Sequence, residues 1–588
     1  MMKAWRQGYE AVAGSEVEKR RSWKATRMVA TTTLAAVAVV ILWYASGPKI
    51  MSGRREATTV SSSVSSKPNI VHIIFDDVGF NDLWESSDLE PARAVPNMTF
   101  LATRGVVLSN YYGQSYCTPA RAALLTGKFP HKLGFAGADV RGGVTEVLAL
   151  DNYSIPLGHA LVPEVLKTKG YSTHGIGKWN VGHCNEAYLP WNRGFDTFLG
   201  YFSDGIDYVS HRADSIAAPR SGKGYIPIGN GTEFELLDLQ FYEDPDEFEW
   251  TTAVEEHGGT YTSTLFAGEA ARRIRGARGP AYVWLGYHGM HDNEGVANFN
   301  GTDDAYWDAC NASATRCAFG KGLREIDDGV GAILGELRGK NTDFVMVLHS
   351  DNGGYPCGAH CSGNNYPLRG LKFFDFEGAV RVPALIYSNL FLPASGTYYA
   401  GLMHHVDWLA TFASIAGGVL GDDDFDSVDH WEEIRRVARG EVLESNYKLR
   451  SEIVFSVDSK HASVRKYQYK LLLRRSYSGW YPPLEKNKSY DSCSAPSNDD
   501  YIFDLDNDPE EQENLWDHPK YANVKADLVQ WAQDLYAREY FHLPLPRSDQ
   551  LTSEIADAIY ASTNNHSDWK VLVPWGCHLL YREKNIDI

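Results

Sequence analysis

The sequence predicts an α/β fold: a large central, mixed but mostly parallel sheet between helices, followed by a smaller antiparallel sheet with a helix. Two apolar runs, 69–75 (NIVHIIF) and 342–348 (TDFVMVL), lack the polar alternation of half-exposed strands. Such runs are typical of strands that are covered on both faces. Helical patterns alternate with them, the clearest over 264–275 (TLFAGEAARRIR), and this alternation favours a parallel sheet.

The pattern changes after about residue 430. Segments 453–457, 467–473 and 501–505 resemble short strands of an antiparallel unit, and a helix follows near 524–540. We therefore predict a main domain over 68–430 and a C-terminal subdomain over 431–588.

Length and charge limit what the protein can do. A chain of 588 residues with 44% hydrophobic residues can bury one large core and a smaller one. Its formal net charge of −19 argues against nucleic acid as a partner, because phosphate backbones recruit basic surfaces. A polyanionic substrate would equally be repelled at long range and would need a local basic pocket.

The N-terminal region predicts a membrane anchor. Residues 28–45 (MVATTTLAAVAVVILWYA) are uncharged, apolar and just long enough to span a bilayer, and basic residues precede them. We predict a cytoplasmic tail over 1–27, a transmembrane signal-anchor over 28–45 and a flexible Ser/Thr-rich stalk over 46–67. A cleaved signal peptide is the alternative, in which case the protein would be secreted.

Glycosylation acceptor sequences support a secretory address. We expect a single-pass protein with its main domain in the lumen of the Golgi or a lysosome-like compartment, or at the cell surface. The acceptor positions are Asn97, Asn152, Asn230, Asn300, Asn311, Asn487 and Asn565.

The eight cysteines suit an oxidising compartment. Cys310 and Cys317, and likewise Cys357 and Cys361, are close enough in sequence to close short loops. Connectivity does not follow from spacing alone, so it stays open.

Polar residues follow both apolar strands at the point where each one ends. Asp76 and Asp77 come directly after the first strand, and Asp351 and Asn352 follow the second. Adjacent buried carboxylates repel each other unless a cation neutralises them. Three carboxylates and an amide oxygen form a hard-oxygen set suited to Ca²⁺ or Mg²⁺.

The most informative segment is 116–127 (YCTPARAALLTG), in which Cys117 is followed by Pro119, Arg121 and an apolar helical run. This core resembles the formylglycine signature of type I sulfatases, and most closely that of arylsulfatase B-like (N-acetylgalactosamine-4-sulfatase) members. The resemblance implies an alkaline-phosphatase-like sulfatase fold and covers nearly the whole chain after residue 68. Further similar stretches are FDDVGFND at 75–82, GYSTHGIGKW at 170–179, RGFDTFLGY at 193–201, SDNGG at 350–354, GNNYPLRGLK at 363–372, HHVDWLATF at 404–412 and YIFDLDNDPEE at 501–511.

The resemblance also implies an activity, hydrolysis of a sulfate ester on a carbohydrate or a small aryl compound. A formylglycine-generating enzyme would convert Cys117 to an aldehyde, and one calcium ion would bind beside it. Covalent catalysis would then divide the reaction into transfer and release. The implied metal ligands are Asp76, Asp77, Cys117, Asp351 and Asn352.

Further site residues follow from the same resemblance. Arg121 would stabilise the hydrated aldehyde, and Lys178 and Lys372 would hold sulfate oxygens. His291 would face the leaving group, with His288 as the alternative. Fixed cations and a metal are what a transition state that gathers negative charge on sulfate requires.

One departure affects catalysis. The family pattern has a histidine after Lys178-Trp179, and this chain has Asn180, which cannot accept a proton near neutral pH. His183 is a possible substitute. A milder departure is Tyr116, which stands where smaller aliphatic residues are usual.

Two alternatives to an active sulfatase follow. Impaired turnover at Asn180 would make the protein a membrane-anchored, glycan-binding pseudo-sulfatase. A related phosphodiesterase or phosphonate hydrolase could share the same fold and metal site.

The acidic segment 204–256 favours a lightly sulfated or terminal sugar as substrate.

Overall fold

The computed structural model describes residues 67–83, 87–89, 94–135, 146–147, 153–183, 185–211, 236–243, 257–291, 312–357, 363–391, 396–421, 425–483, 490, 494–541 and 570–571. The predicted tail, anchor and stalk lie almost entirely outside these ranges and remain predictions. Within the ranges, no helix is both long and apolar enough to cross a membrane. Ser65–Ile588 forms one compact unit.

A nine-stranded mixed sheet forms the centre of the protein, with the strand order β11-β2-β10-β9-β1-β8-β4-β5-β7. The inner strands β9, β1, β8, β4 and β5 are parallel, and β10 and β7 pair antiparallel to their neighbours. The strands are β1 (Asn69–Phe75), β2 (Val106–Leu108), β3 (Tyr111–Tyr112), β4 (Ser172–Lys178), β5 (Thr197–Tyr201), β6 (Leu236–Leu237), β7 (Gln240–Tyr242), β8 (Ala281–Gly286), β9 (Phe344–Ser350), β10 (Ala384–Ser388), β11 (Thr397–Tyr399), β12 (Met403–His404), β13 (Glu452–Val457), β14 (Ala462–Lys466), β15 (Tyr469–Ser478), β16 (Ser494–Asp504) and β17 (Lys570–Val571).

Helices cover both faces of this sheet. The strand β1 shows why: Ile70 and Ile74 belong to the hydrophobic core on one face, and Val71, Ile73 and Phe75 belong to the core on the other. A strand with both faces buried needs no polar alternation, which is the pattern that predicted it. The α-helices are α1 (Pro96–Ala102), α2 (Cys117–Thr126), α3 (Val162–Thr168), α4 (Thr262–Gly276), α5 (Ala314–Gly339), α6 (Glu377–Val380), α7 (Trp408–Ile415), α8 (Trp431–Ala438) and α9 (Ala522–Glu539).

A second sheet lies in the C-terminal part, where β13, β14, β15 and β16 pair antiparallel in sequence order. The amine of Lys470 in this sheet lies 3.0 Å from carboxylate oxygens of both Glu377 and Glu511, and all three side chains are fully buried. Because Glu377 belongs to α6, this ion cluster ties the small sheet to the main body.

The predicted fold class is confirmed, with a central mostly parallel sheet between helices and a smaller antiparallel sheet with a helix. The strand predicted over 342–348 begins and ends two residues later, at Phe344–Ser350, and β14 was not predicted. The boundary near residue 430 remains a prediction. Cys317 and Cys357 are disulfide-bonded, while Cys310 and Cys361 lie outside the described residues.

Gly177 shows how closely the inner strands approach each other near the end of β4. Its backbone has a φ of 85°, and a Cβ atom there would lie 1.9 Å from the carbonyl oxygen of Gly286 in β8. A side chain at this position would therefore push β4 and β8 apart, next to Lys178 at the end of β4.

We predict that Gly177→Ala is much more destabilising than Gly170→Ala. Gly170 has a similar φ of 83° but nothing within 4 Å of its Cβ position, so its replacement meets only the left-handed backbone cost of roughly 1–2 kcal/mol. Urea unfolding of both variants measures the difference. Equal loss of stability would show that the strand contact at Gly177 is unimportant.

Candidate active site

Four polar residues meet at the carboxyl ends of two neighbouring strands. The strands β1 and β9 are parallel, with Phe75 beside Ser350, so Asp76 and Asp77 emerge next to Asp351 and Asn352. All four side chains are fully buried. The structure thus brings together the four residues that the sequence analysis named as oxygen ligands, and their role as metal ligands remains a prediction.

Cys117 is the first residue of α2 and faces this cluster. Its Sγ lies 3.3 Å from Oδ1 of Asp76 and 3.4 Å from Oδ1 of Asn352, and the residue has no solvent exposure. The apolar run that follows it buries all ten residues of α2, which fixes the position of the thiol.

The cluster has the composition of a metal site. One ligand atom from each of Asp76, Asp77, Cys117 and Asp351 lies within 4.8 Å of every other. The Oδ1 atom of Asn352 borders the same space, since it lies 3.4 Å from Sγ of Cys117. Carboxylate and amide oxygens at this spacing fit a hard divalent cation such as Ca²⁺.

Three cationic side chains surround the carboxylates. Lys178 Nζ donates to Asp76 Oδ2 at 2.7 Å, and Lys372 Nζ lies 2.8 Å from the Asp77 carboxylate. Arg121 Nη2 donates to Asp351 Oδ2 at 2.9 Å, and its Nη1 donates to the carbonyl oxygen of Lys178 at 3.1 Å. The three cations come from β4, from the loop that contains Lys372 and from α2, and Arg121 Nη2 also lies 3.6 Å from Oδ2 of Asp76.

The pKa values of the three carboxyl groups shift in different directions, because burial and the neighbouring cations act against each other. Burial acts to raise the pKa of Asp76, but Lys178, His291 and Arg121 together hold it well below its usual range. Burial raises the pKa of Asp77 to about 7 despite Lys372, and burial together with Asp76 also raises the pKa of Asp351. Burial thus favours the neutral form of these acids, and the neighbouring cations oppose it to a different extent at each one.

The thiol of Cys117 is unsuited to act as a nucleophile itself. Burial and the neighbouring Asp76 carboxylate raise its pKa well above the ordinary value, although Lys178 and Lys372 oppose the rise. A thiolate is the reactive form of cysteine, and here it is disfavoured.

The structure places His291, rather than His288, beside Cys117. Ligand atoms of His291, Asp76 and Cys117 lie within 4.8 Å of one another, and His291 is partly exposed. His288 is fully buried, and its Nδ1 lies 2.8 Å from the hydroxyl of Tyr201. Burial, Lys372 and Lys178 lower the pKa of His291, so its imidazole is held neutral.

Asn180 serves as a structural clamp. Its Nδ2 donates to the carbonyl oxygen of Val147 at 2.8 Å, and its Oδ1 accepts from the hydroxyl of Thr118 at 3.0 Å. It also has a left-handed backbone, with a φ of 54°, which asparagine tolerates better than most residues. His183 lies buried with its ring stacked on Phe202, and its role as a substitute base remains a prediction.

Two residues that contact predicted site residues were not predicted from the sequence. Thr118 links Asn180 to the backbone of Val147, whose amide donates to the threonine hydroxyl at 3.0 Å. Tyr201 holds His288. Both residues lie in stretches that resemble the family, Thr118 in 116–127 and Tyr201 in 193–201, but neither was singled out there.

Comparison with known proteins agrees with this geometry. The sulfatase family profile matches residues 68–419, which is more than half of the chain. Arylsulfatase J of Mus musculus is 28% identical over 505 residues, covering 81% of this chain and 76% of that protein. Arylsulfatase A of Homo sapiens is 31% identical over 387 residues, covering 63% and 69%. N-acetylgalactosamine-6-sulfatase of Mus musculus is 30% identical over 372 residues, covering 61% and 64%.

Solved structures share the fold. Ps i-CgsB superposes with a TM-score of 0.60 at 21% identity, covering 85% of this chain and all of that one (100%). The PsFucS1 sulfatase from Pseudoalteromonas sp. superposes with a TM-score of 0.58 at 22% identity, covering 82% and 92%. The narrower resemblance to arylsulfatase B is not supported by these matches. The chain belongs to the sulfatase family and is a hydrolase of sulfate esters.

Proposed function

We propose that this sulfatase acts through a formylglycine made from Cys117 and a calcium ion held by the surrounding oxygen ligands, and that its substrate is a carbohydrate sulfate. The observation that carries the proposal is the meeting of a buried cysteine, three carboxylates and three cations at one point. The ligands would be Asp76, Asp77, Asp351, Asn352 and the modified residue 117.

Two features of Cys117 support its conversion. It heads α2 within the Cys-x-Pro-x-Arg motif, and its raised pKa makes the thiol itself a poor nucleophile. A formylglycine, when hydrated, supplies a hydroxyl group that attacks sulfur and a second one that assists release. Its formation would require a formylglycine-generating enzyme as a partner during maturation.

The residues of the chain would position the substrate. Lys178 and Lys372 lie at the carboxylate cluster, where their ammonium groups can hold sulfate oxygens as negative charge develops there. Arg121 would stabilise the hydrated group at residue 117. Among the described contacts, His291 Nδ1 has no hydrogen-bond partner, which leaves it available to the leaving oxygen.

Two solved structures of similar fold, each with a bound carbohydrate, support a carbohydrate as the substrate. Ps i-CgsB has been solved with k-i-k-neocarrahexaose, and BT4656 with its substrate D-glucosamine-2-N,6-O-disulfate. We further propose that the catalytic domain faces the lumen of a secretory compartment or the cell exterior, behind the predicted anchor at 28–45. The glycosylation sequons support that location.

Loss of the nucleophile should abolish activity. We predict that Cys117→Ala reduces sulfate release from 4-nitrophenyl sulfate on the order of 10³-fold or more, because the covalent route is lost. Thr126→Ser, at the end of the same helix, is the matched control and should keep full activity. An active Cys117→Ala protein would sink the covalent mechanism.

Calcium should stabilise the protein through the carboxylate cluster. At calcium concentrations near 100 times Kd, binding should add about 2.7 kcal/mol to the free energy of unfolding. Thermal unfolding after treatment with a chelator, with and without added calcium, measures this effect. Asp351→Asn should shrink the response, whereas Asp327→Asn, which changes a buried carboxylate bonded to Asn97 and Met98, should keep it. A Tm that is the same with and without added calcium would contradict the proposed metal.

Asn180 should limit turnover. We predict that Asn180→His raises kcat on an aryl sulfate, by up to about 10²-fold, because a base then stands beside residue 117. Asn180→Ala loses the clamp without gaining a base, so its kcat should fall. If the histidine variant is stable and no faster than the parent, the missing base is immaterial.

A further inference from the structure

Lys372 lies in a segment between β9 and α6 that has no regular secondary structure. The segment 369–376 contains no helix or strand, yet Lys372 is buried and its Nζ lies 2.8 Å from the Asp77 carboxylate. A lysine side chain has several rotatable bonds, so its ammonium group is placed accurately only if the backbone that carries it is held. Contacts from other parts of the fold therefore have to fix this segment.

The C-terminal sheet holds the start of the segment. The Nε atom of Arg369 donates to the carbonyl oxygen of Ser478, the last residue of β15, at 2.7 Å. The amide of Gly370 donates to the carbonyl oxygen of Gly479, also at 2.7 Å. The Arg369 guanidinium lies 4.2–5.1 Å from the ring centroids of four aromatic side chains, where cation–π attraction operates. These rings belong to Phe376, Tyr477, Trp480 and Tyr501.

A buried carboxylate holds the end of the segment. Oδ2 of Asp375 lies 2.9 Å from Nη2 of Arg475 in β15, and it accepts a hydrogen bond from the hydroxyl of Ser456 in β13 at 2.9 Å. Arg475 also donates to the Ser456 hydroxyl. Each of these three residues is only 2% exposed, so solvent and salt screen the ion pair little. The C-terminal sheet thus fixes Asp375 three residues after Lys372.

The same carboxylate contacts the segment that precedes Cys117. Its Oδ1 accepts a hydrogen bond from the hydroxyl of Ser115 at 2.5 Å. The carbonyl oxygen of Ser115 in turn accepts a hydrogen bond from the amide of Phe373 at 2.9 Å. Ser115 precedes Cys117 by two residues. Phe373 directly follows Lys372, so these bonds join the residue proposed as the nucleophile to a residue proposed to hold sulfate.

The backbone of Phe373 indicates that this geometry is enforced. Its φ is 83°, in the left-handed region that bulky residues rarely adopt. Such a conformation persists only where the surrounding structure holds it. The bond to Ser115 and the packing of the Phe373 ring on Tyr116, with centroids 4.8 Å apart, provide that hold.

We propose that Asp375 is a positioning residue: anchored on the C-terminal sheet, it fixes residue 117 relative to Lys372. The nucleophile on residue 117 has to approach sulfur while Lys372 holds an oxygen of the same sulfate. A displacement of about 1 Å in such a geometry can cost on the order of 10²-fold in rate. The C-terminal sheet therefore takes part in catalysis by orienting two site residues. This inference rests on the roles proposed above for residue 117 and Lys372.

Steady-state kinetics on 4-nitrophenyl sulfate test this role. Asp375→Asn removes the charge that pairs with Arg475, and we expect kcat to fall about tenfold or more while KM changes less than about threefold. KM should change little because Lys178 still holds the sulfate, whereas attack depends on the geometry at residue 117. Ser115→Ala keeps the ion pair and loses only one hydrogen bond, so its kcat should fall about three- to tenfold.

Two comparisons separate positioning from a general loss of stability. Glu269→Gln breaks a buried ion pair of 2.6 Å with Arg273 on α4 and should leave kcat and KM unchanged. The double variant Ser115→Ala/Asp375→Asn should be no slower than Asp375→Asn, because both changes act on one contact. Effects that multiply, an equal loss of kcat in Glu269→Gln, or a parental kcat in the folded variants overturn the proposal. If Asp375→Asn does not fold, Ser115→Ala decides alone.

Hydrogen exchange separates this inference from the proposed function. Amide exchange in a peptide covering 370–376 should be about tenfold faster in Asp375→Asn than in the parent, because the Phe373 amide is held through Ser115. It should be unchanged in Glu269→Gln. Equal exchange in the parent and in Asp375→Asn overturns the inference. If the parent releases no sulfate, the proposed function fails, and exchange alone decides whether Asp375 fixes this segment.

Discussion

Three buried carboxylates, Asp76, Asp77 and Asp351, meet at the carboxyl ends of two adjacent parallel strands, and most of the site is arranged to balance their charge. Their mutual repulsion in a dry interior would be costly without compensation. Lys178 and Lys372 supply two of the opposite charges, each within 2.8 Å of a carboxylate oxygen. In the proposed function the same two lysines hold the sulfate, so that stability and binding would depend on one set of side chains.

The fold delivers these groups from separate parts of the chain. A parallel sheet brings strand ends together at one edge, which is where loops build sites in α/β proteins. The close approach of β4 to β8 at Gly177 places Lys178 against Asp76, and α2 brings Cys117 and Arg121 to the same point. A calcium ion bound there would favour the ionised form of the carboxylates against the cost of their burial.

Local patterns explain why much of this could be predicted from the sequence. The apolar segments before Asp76 and Asp351 could be recognised as strands because burial on both faces leaves a continuous hydrophobic run. The motif at Cys117 predicted the other site residues through family resemblance. The Asn180 clamp could not be foreseen, because it joins residues that are distant in sequence: Thr118 lies 62 positions away. Sequence reasoning treated Asn180 as a missing base, and its hydrogen bonds reveal a structural role as well.

The proposed mechanism depends on the chemical state of residue 117. Mass spectrometry of the tryptic peptide that contains it, after expression through a eukaryotic secretory pathway, tests the central claim most directly. The account predicts a peptide in which the cysteine thiol has been replaced by an aldehyde. An intact cysteine in a preparation that still releases sulfate would contradict it.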